Sequence, residues 1–352
     1  YGCSDMRESL DSLGPYKIVR FLARGGMGEL YVAVDPARPE EEVVLKCVRA
    51  QEEFDRLSGP IRMFLDEARV TTLIEHPNVV RVHAVNYESG IYYLVMEKLE
   101  GWDLARILAH LGRTDELIPL RVAIRLMIET CRGLHAAHEC VTERGEAVEL
   151  VHRDVSPQNI FVTTDGITKI LDFGVAKTAI QTAATRVGHL KGKAAYMSPE
   201  QVRGRRLDRR SDIFSLGIVL HEMLTGKRLF ARAAPLEALQ AVLDELIPPP
   251  SRADHSVSHA LQGATMRALQ RDRNLRFHTA LEFSAALERL VPEAQEVEAA
   301  EVAAIMTDLR PTERSPTSTV SVANSNSESL ARWAAELTEQ INSTAQTTMR
   351  IT

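Results

Sequence analysis

The spacing of apolar residues divides the chain into two parts. From Tyr16 to about Ser89, short apolar runs such as 43–45 and 79–80 are bounded by Gly, Pro and Asp, a pattern typical of β-strands. The stretch 61–75 instead repeats apolar residues at helical spacing. The first part is therefore predicted to be a small, strand-rich lobe that contains one helix.

After Gly101 the apolar spacing becomes helical. Residues 120–138 carry an amphipathic stripe of the kind that packs a helix against a core. Further helices are predicted at 211–225, 235–247, 257–270 and 278–290. A strand-rich lobe over 16–95 followed by a larger helical lobe over 101–291 is an α+β plan.

The two ends of the chain differ in composition from this domain of 16–291. Residues 1–15 are polar and are predicted to form a loosely held extension. Residues 292–352 become rich in Ser and Thr, which predicts a largely flexible tail. Within it, 329–341 is either a marginal isolated helix or a segment that docks through Trp333.

The bulk composition narrows the class of protein. With 352 residues, 45% hydrophobic and 26% charged, the chain can bury a sizeable core. Its net charge of −6 argues against a general nucleic-acid binder. It contains no apolar run of the ~18 residues needed to span a bilayer, and no signal peptide is visible. The four cysteines form no CxxC pair, which favours free thiols and a cytoplasmic location.

A glycine-rich turn is the first candidate for phosphate chemistry. Residues 22–31 place Gly25, Gly26 and Gly28 between two predicted strands. Without Cβ atoms in the way, backbone N–H groups there can approach phosphate oxygens closely. The same pattern is also that of an ordinary hairpin turn.

Lys46 closes the next apolar strand and is the second candidate. A lysine in this position points either outward to water or inward over a ligand. If the glycine turn cradles a phosphate, an ammonium on the neighbouring strand would neutralise it. Glu67, midway along the predicted helix, is a candidate to hold that ammonium in place.

Two short acidic motifs form the third candidate. The first is His-Arg-Asp-Val-Ser-Pro-Gln-Asn at 152–159, and the second is Asp-Phe-Gly at 172–174, with a turn signal between them. A hairpin joining them would bring Asp154, Asn159 and Asp172 to one end. Such oxygen-bearing side chains can hold Mg²⁺ and accept a hydroxyl proton.

The order of these motifs resembles that of the eukaryotic-type (Hanks-type) serine/threonine protein kinases, particularly bacterial members such as those of myxobacteria. Ser198-Pro199-Glu200, Asp212 and Arg276 extend the match, the arginine being the expected partner of Glu200. The resemblance covers residues 16 to about 291. It implies the bilobal protein-kinase fold and transfer of the γ-phosphate of ATP to protein hydroxyls in bacterial signalling.

The resemblance also implies a nucleotide site between the lobes. Residues 96–100 would be the hinge, with Met96 as gatekeeper and Asp103 near the ribose. The remaining residues expected to contact the nucleotide are Leu22, Ala23, Gly25, Gly26, Met27, Gly28, Leu30, Val44, Lys46, Glu97, Leu99 and Phe161.

Catalytic roles follow from the same resemblance. Lys46 would bind the α- and β-phosphates while paired with Glu67. Asn159 and Asp172 would hold Mg²⁺, or Mn²⁺ in its place. Asp154 would orient the attacking hydroxyl and accept its proton.

Two departures from the family pattern change the charge around the catalytic aspartate. Ser156 stands where serine/threonine kinases usually carry a lysine that steadies the γ-phosphate. Lys193 stands where the family usually has a threonine. We interpret this as a relocated charge, with Lys193 reaching toward Asp154 and the γ-phosphate. A solvent-facing lysine is the alternative. Ala23, in place of the first loop glycine, is expected to weaken ATP binding or leave it unchanged.

The segment between the two motifs at 172–174 and 198–200 is a candidate for regulation. Thr178, Thr182 and Thr185 lie within it and are predicted sites of autophosphorylation. Arg153 would bind the added phosphate and so order the segment. The alternative is that these are unmodified linker threonines.

Two other classes of protein share this fold. A pseudokinase would lack Lys46, Asp154 or Asp172, all of which are present. A small-molecule phosphotransferase is disfavoured by Ser198-Pro199-Glu200 and Asp212, because that segment forms the peptide platform in protein kinases. The expected partners are ATP and protein substrates with Ser or Thr. Nucleic acid is not expected, and dimerisation stays open.

Overall fold

The computed structural model describes residues 10–25, 28–49, 68, 71–142, 144–173, 193–252 and 256–308. These residues form a sheet-based N-lobe and a mainly helical C-lobe, as the α+β reading predicts. No helix among them is long and apolar enough to cross a bilayer.

The N-lobe is an antiparallel sheet of six strands. They are β1 Ser12–Leu13, β2 Tyr16–Gly25, β3 Gly28–Asp35, β4 Arg38–Arg49, β5 Val82–Glu88 and β6 Ile91–Glu97. Their order across the sheet is β1-β2-β3-β4-β6-β5. The register places Leu30 opposite Lys46 and Val44 opposite Met96, so these side chains share one region of the sheet.

A second sheet of three antiparallel strands lies where the lobes meet. It consists of β7 Gly101–Asp103, β8 Ile160–Thr163 and β9 Thr168–Ile170. The pairing of Asp103 with Phe161 joins the end of the hinge to the strand that follows Asn159. The two acidic motifs are therefore held at the ends of one hairpin, β8–β9, as the turn signal at 164–166 predicts.

The C-lobe helices surround one apolar core. The central helix over 210–225 is buried on nearly every side, which explains why its sequence lacks a polar face. Gly226 ends it in a left-handed conformation (φ 68°) that a glycine adopts without strain. The helices are α1 Leu104–Thr114, α2 Leu120–His138, α3 Pro199–Val202, α4 Arg210–Thr225, α5 Pro235–Asp244, α6 His259–Ala268, α7 Ala280–Leu290 and α8 Ala299–Asp308.

The helix predictions hold with small changes at the ends. α2 has the predicted bounds, whereas α5 ends at Asp244, three residues before the predicted end, because Glu245 adopts an extended conformation. Most of the helix predicted at 61–75 lies outside the described residues. Ala68 is helical, and the N–H of Thr72 donates to its carbonyl at 3.1 Å.

The folded unit extends beyond the predicted limits of 16–291 at both ends. At the N-terminal end, Ser12 and Leu13 form β1, and the Leu13 side chain is buried. At the C-terminal end, Ala294, Val297 and Val302 join the main core. Residues 292–308 are thus part of the C-lobe rather than of a flexible tail. The rest of the predicted tail, including Trp333, lies outside the described residues.

The α8 helix contacts the turn of the β8–β9 hairpin. Gly166 adopts a left-handed conformation (φ 82°), and an added Cβ there would lie 2.0 Å from the carbonyl oxygen of Ala299. An ion pair between Arg121 and Glu301, at 2.9 Å, joins the same helix to α2. This contact could not be predicted from the pattern of residues, because α8 is short and alanine-rich.

Candidate active site

The loop before β8 is held in an unusual conformation by one buried carboxylate. Asp212, at the start of α4, accepts the backbone N–H groups of His152 and Arg153 at 2.8 and 2.9 Å. Its Oδ2 also lies 2.8 Å from Nε2 of His138. Arg153 has φ 65°, which is strained for a residue with a side chain. The bonds to Asp212 offset that strain and fix the position of Asp154.

Asp154 and Asn159 are joined directly within this loop. The Asn159 Nδ2 donates to the Asp154 carbonyl oxygen at 2.7 Å and to its Oδ2 at 3.0 Å. Pro157 begins a single 3₁₀ turn that carries Asn159 back toward Asp154. The Pro-Gln-Asn sequence thus brings both side chains to the same point.

Lys46 and Asp172 meet across the cleft between the lobes. The Lys46 Nζ lies 2.9 Å from Asp172 Oδ1, with the lysine buried and the aspartate half exposed. The ammonium of Lys46 holds the pKa of the Asp172 carboxyl below its ordinary value. Asp172 has φ 44°, a second strained position at the site. The carboxylate is therefore kept in its ionised form.

Lys193 also lies within the site. Its Nζ is 2.7 Å from Asp154 Oδ2, and its side chain is about one-third exposed at 35%. Ser156, two residues after Asp154, is buried, and its Oγ has no hydrogen-bond partner among the described residues. A cation is thus present beside Asp154, supplied from the segment before α3 rather than from position 156.

The side chains predicted to contact adenine are partly buried. Leu22, Leu30 and Val44 from the N-lobe sheet and Phe161 from β8 are all half-buried, as is Met96 at the end of β6. Residues next to them, such as Val43 and Leu45, are buried in the lobe core. Strand alternation therefore points Val44 to the other side of the sheet, toward the cleft.

The described part of the glycine turn has a packing role as well. Gly28 has φ 142°, and an added Cβ there would lie 2.0 Å from the Cys47 carbonyl oxygen of β4. A glycine is thus required for the close approach of β3 to β4, beside Lys46. Ala23 is exposed on β2 opposite Leu30, where a Cβ is accommodated.

The segment predicted to be the hinge is anchored by its own side chains. Glu97 Oε1 accepts the backbone N–H of Arg81 at 2.7 Å and lies 2.6 Å from the Lys169 Nζ. Asp103 accepts the N–H of Arg106 at 2.9 Å and so caps α1. Burial raises the pKa of Asp103. Leu99 is half-buried between these two anchors.

The Ser198-Pro199-Glu200 segment is fixed by a buried ion pair. Arg276 donates to both oxygens of Glu200, at 2.7 and 2.9 Å, and is fully buried, which confirms the predicted pairing. Ser211 adds a third bond to Glu200 at 2.7 Å. Burial alone would raise the pKa of Glu200, but the bonds and charge of Arg276 outweigh it and hold the pKa below its ordinary value.

One residue that connects this segment to the catalytic loop was missed in the sequence. Gln201 completes a capping box with Ser198 at the start of α3, and its Nε2 donates to the Arg153 carbonyl oxygen at 2.9 Å. The Ser-x-x-Gln spacing signals the cap. Nothing in the spacing signals the long-range bond to Arg153.

Several predicted residues lie outside the described part of the chain. These are Glu67, Gly26 and Met27 from the N-lobe, Gly174, and the three threonines Thr178, Thr182 and Thr185. For Gly25 only the backbone, at the end of β2, is described.

The donor set fits a hard divalent cation. Asp172 offers a second carboxylate oxygen, and the Asn159 Oδ1 accepts no hydrogen bond from the described residues. Within the part of the chain that is described, no group of three or more His, Cys, Asp or Glu side chains could hold a metal. A magnesium ion at Asn159 and Asp172 would thus complete its coordination with water and phosphate oxygens.

The fold and the family are established by comparison with known proteins. The kinase domain of PknI from Mycobacterium tuberculosis superimposes with a TM-score of 0.57 and 24% identity, over 79% of this chain and 97% of that one. The architecture is therefore that of a protein kinase. The protein kinase domain family matches residues 16–314, and the chain belongs to that family.

Curated relatives come from bacteria. MasK of Myxococcus xanthus, named a tyrosine-protein kinase, is 40% identical over 286 residues, covering 81% of this chain and 44% of MasK. The serine/threonine-protein kinase PknA of M. tuberculosis is 37% identical over 241 residues, covering 67% of this chain and 52% of PknA. The chain thus spans about half of these relatives or less.

Proposed function

We propose that the chain is an ATP-dependent protein kinase that transfers the γ-phosphate to serine or threonine hydroxyls of bacterial signalling proteins. The observation that carries the proposal is the convergence of two cations and two carboxylates in the cleft. Lys46 pairs with Asp172 at 2.9 Å and Lys193 with Asp154 at 2.7 Å, while Asn159 bonds Asp154. Catalysis of phosphoryl transfer depends mainly on such positioning and charge neutralisation.

Asp154 is the proposed proton acceptor. Its carboxylate is held between the Asn159 amide and the Lys193 ammonium, so its orientation is fixed before a substrate arrives. A hydroxyl directed at it would be aligned for attack and would give up its proton there. The Asp212 bonds to the neighbouring backbone support this preorganisation.

Asn159 and Asp172 are the proposed metal ligands. When bound there, Mg²⁺, or Mn²⁺ in its place, supplies positive charge to the phosphate oxygens. The low pKa of Asp172 keeps this ligand ionised at neutral pH. Lys46 supplies a fixed cation next to it, on the side of the glycine turn.

The nucleotide is proposed to lie along the same cleft. Leu22, Leu30 and Val44 would cover the adenine from the N-lobe, with Phe161 below it. The backbone of the hinge near Glu97 and Leu99 would bind its edge. Lys169, which bonds the Glu97 side chain, supports this by fixing the hinge backbone. One Asp103 oxygen caps α1, which leaves the other for the ribose.

Lys193 is proposed to take the part that lysine plays two residues after the catalytic aspartate in most serine/threonine kinases. Its contact with Asp154 and its partial exposure leave the ammonium within reach of the cleft. In this role it would neutralise the γ-phosphate as the acceptor oxygen attacks.

Tyrosine is a second candidate acceptor. MasK carries the name of a tyrosine kinase and shares 40% identity with this chain. PknA, and PknB of Mycobacterium leprae at 34% identity, are named serine/threonine kinases. Serine/threonine transfer is favoured because more of these relatives carry that name.

Phosphoamino-acid analysis after labelling with γ-³²P-ATP and generic protein substrates tests both candidates. Labelled phosphoserine or phosphothreonine, absent with Asp154→Asn, is the expected result. Label confined to phosphotyrosine would show that tyrosine, and not serine or threonine, is the acceptor. No label with any substrate would overturn the kinase proposal.

Location and regulation complete the proposal. Among the described residues, Cys131 and Cys140 are buried free thiols, which supports a reducing, cytoplasmic compartment. Autophosphorylation at Thr178, Thr182 or Thr185 would be read by Arg153. Phosphopeptide mass spectrometry of active enzyme, with Asp154→Asn as control, tests this directly.

A further inference from the structure

The loop between α3 and α4 concentrates positive charge in an acidic protein. Over residues 203–210 the sequence is Arg-Gly-Arg-Arg-Leu-Asp-Arg-Arg, whereas the whole chain carries a net charge of −6. We call residues 203–209 the arginine loop. Such a local reversal of charge is a feature of the surface rather than of overall composition, and it attracts anionic partners.

A cavity of about 330 Å³ lies beneath this loop. Residues 149–151, which lead into the catalytic loop, line it together with the buried His138. The lining residues are His138, Glu149, Leu150, Val151, Arg206, Leu207, Asp208, Arg209 and Arg273.

The arginine loop is held in place by backbone contacts. The N–H of Arg205 donates to the Glu200 carbonyl oxygen at 2.9 Å, and Arg273 donates to the Arg206 carbonyl oxygen at 2.9 Å. Glu200 is itself fixed by the buried pair with Arg276. The backbone that carries the exposed Arg205 and Arg206 side chains is therefore fixed by a hydrogen bond at each residue.

The positive charge is only partly neutralised within the protein. The Asp208 carboxylate is occupied by Arg210 at 2.8 Å and Arg273 at 3.1 Å. Arg209 pairs with Glu139. Arg206 lies 3.7 Å from Glu149, and the side chains of Arg206 and Glu149 are both largely exposed.

Two further arginines have no such partner. Arg203 and Arg205 are exposed and form no ion pair within the described ranges. Together with Arg210 and Arg273 the loop brings six arginines to this surface, and the ion pairs of the described residues join four of them to Asp208, Glu139 and Glu149. The site therefore has the charge to accept an anion with more than one negative oxygen.

The position of the cavity relates it to the catalytic loop. Val151 in its wall is three residues before Asp154, and Gln201, just before the arginine loop, bonds the Arg153 carbonyl oxygen. A chain bound here would thus lie close to the loop that carries Asp154. Confinement of the charge to one loop, in a chain of net charge −6, disfavours a nucleic-acid backbone.

We propose that the arginine loop and the cavity beneath it bind a phosphorylated peptide segment of a protein substrate. A phosphate dianion offers three strong acceptor oxygens, and several guanidinium forks can share them, whereas a carboxylate offers two. Clusters of arginine are a recurring way to recognise such groups. The small cavity would receive the phosphate, and Arg203 and Arg205 would contact acidic residues beside it.

The use of this site for substrates rests on the proposed kinase function, but binding does not. Binding is therefore measured with full-length Asp154→Asn protein and no ATP, so that absence of phosphoryl transfer and absence of docking are separate results. The probe is a fluorescein-labelled peptide with one phosphoserine among glutamates. Matched peptides carry serine or glutamate at that position.

Fluorescence anisotropy is expected to show tighter binding of the phosphoserine peptide than of either matched peptide, weakening with salt. Arg205→Glu/Arg206→Glu should reduce this affinity roughly tenfold or more. Arg289→Glu, which reverses an exposed arginine at the end of α7, should leave it unchanged. Inorganic phosphate should compete only at much higher concentration, since it lacks the flanking contacts.

Three outcomes would overturn the proposal. They are equal binding of all three peptides, phosphopeptide binding that survives the double charge reversal in a folded variant, and tighter binding of a single-stranded oligonucleotide that is lost in that variant. Circular dichroism establishes that the variant folds. The milder substitution Arg206→Gln provides a second test, for which an intermediate loss of phosphopeptide affinity is expected.

Steady-state kinetics with the active enzyme then test the use of the site. For a substrate that carries the phosphoserine segment, the double reversal should raise KM and leave kcat unchanged, because docking energy remote from the reacting atoms is lost. For a short unphosphorylated substrate, both constants should stay as in the unaltered protein. A fall in kcat for both substrates would contradict a docking role.

Discussion

The Lys193 ammonium lies 2.7 Å from the Asp154 carboxylate. The two residues are separated by 39 positions in the sequence and by the whole segment 174–192, yet they meet at the centre of the candidate site. Position 156, where a lysine is usual in this family, holds a buried serine instead. The contact is the geometric basis for assigning the missing positive charge to Lys193.

Loss of that charge should slow phosphoryl transfer. Lys193→Met is expected to lower kcat about 100-fold, the scale of losing one preorganised charge-stabilising group, with a smaller change in KM for ATP. Turnover at several ATP concentrations measures both constants. Unchanged turnover would show that Lys193 is only a structural partner of Asp154.

A double substitution tests whether the position of the positive charge matters in addition to its presence. In Lys193→Thr/Ser156→Lys, the lysine returns to the position that is usual in the family, so activity is expected to recover part of the loss seen with Lys193→Thr alone. Because Ser156 is buried, Ser156→Lys in the otherwise unaltered protein is the control for disruption by the longer side chain. If that single variant unfolds, thermal denaturation reveals it before the kinetic comparison is made.

The Glu200–Arg276 pair should make a large contribution to stability at neutral pH. Arg276→Met leaves an ionised carboxylate buried without its partner, which is expected to cost about 3–5 kcal/mol of unfolding free energy. Glu200→Gln/Arg276→Met, which removes both charges, should cost less. Urea denaturation of the two variants provides the comparison, and equal losses would argue against an unpaired charge as the cause.

The pH dependence of that loss has a definite sign. The pKa of Glu200 is held below its ordinary value in the folded protein, so the pair's contribution is fully present above the unfolded-state pKa of about 4.3. It is lost as the pH falls through the lower folded-state pKa. The difference between the unaltered protein and Arg276→Met should therefore shrink on acidification, and a difference that grows would contradict this account.

Two glycines with similar backbone conformations allow the effect of the contact with α8 to be distinguished from the effect of strain in a turn. Gly166 (φ 82°) touches Ala299 of α8, whereas Gly90 (φ 79°), in the turn between β5 and β6, has open space around it. Both alanine substitutions carry a left-handed penalty of about 1–2 kcal/mol. Gly166→Ala should cost about 1–3 kcal/mol more, because the new methyl overlaps the Ala299 carbonyl.

Limited proteolysis supplies the structural readout for this pair. Gly166→Ala should expose the 299–308 region to cleavage, and Gly90→Ala should not. Equal unfolding free energies with unchanged cleavage would show that α8 does not depend on its contact with the hairpin turn.

Local patterns predicted most of the longer helices and the grouping of the candidate site residues. Helical periodicity depends on burial of one face, and α2 follows it closely. The convergence of Asp154, Asn159 and Asp172 followed from a single turn signal, since a hairpin brings its ends together. These features are encoded within short stretches of chain.

Contacts between distant segments were harder to predict. The bond from Gln201 to Arg153 and the packing of α8 against Gly166 join segments whose sequences carry no mark of each other. The end of the domain was placed at 291 because composition changes there, although Val297 and Val302 continue the core. The contact of Lys193 was inferred from departures in a family pattern, since a lysine alone does not reveal where its ammonium lies.

Transfer of labelled phosphate tests the central claim most directly. Full-length protein, γ-³²P-ATP, Mg²⁺ and a generic protein substrate are incubated beside Lys46→Met and Asp154→Asn, and the labelled amino acid is identified. The account predicts phosphoserine or phosphothreonine with the unaltered protein, and loss of at least about 100-fold in each variant without loss of folding. Equal labelling by all three proteins, or no labelling by a folded protein that binds ATP, would contradict it.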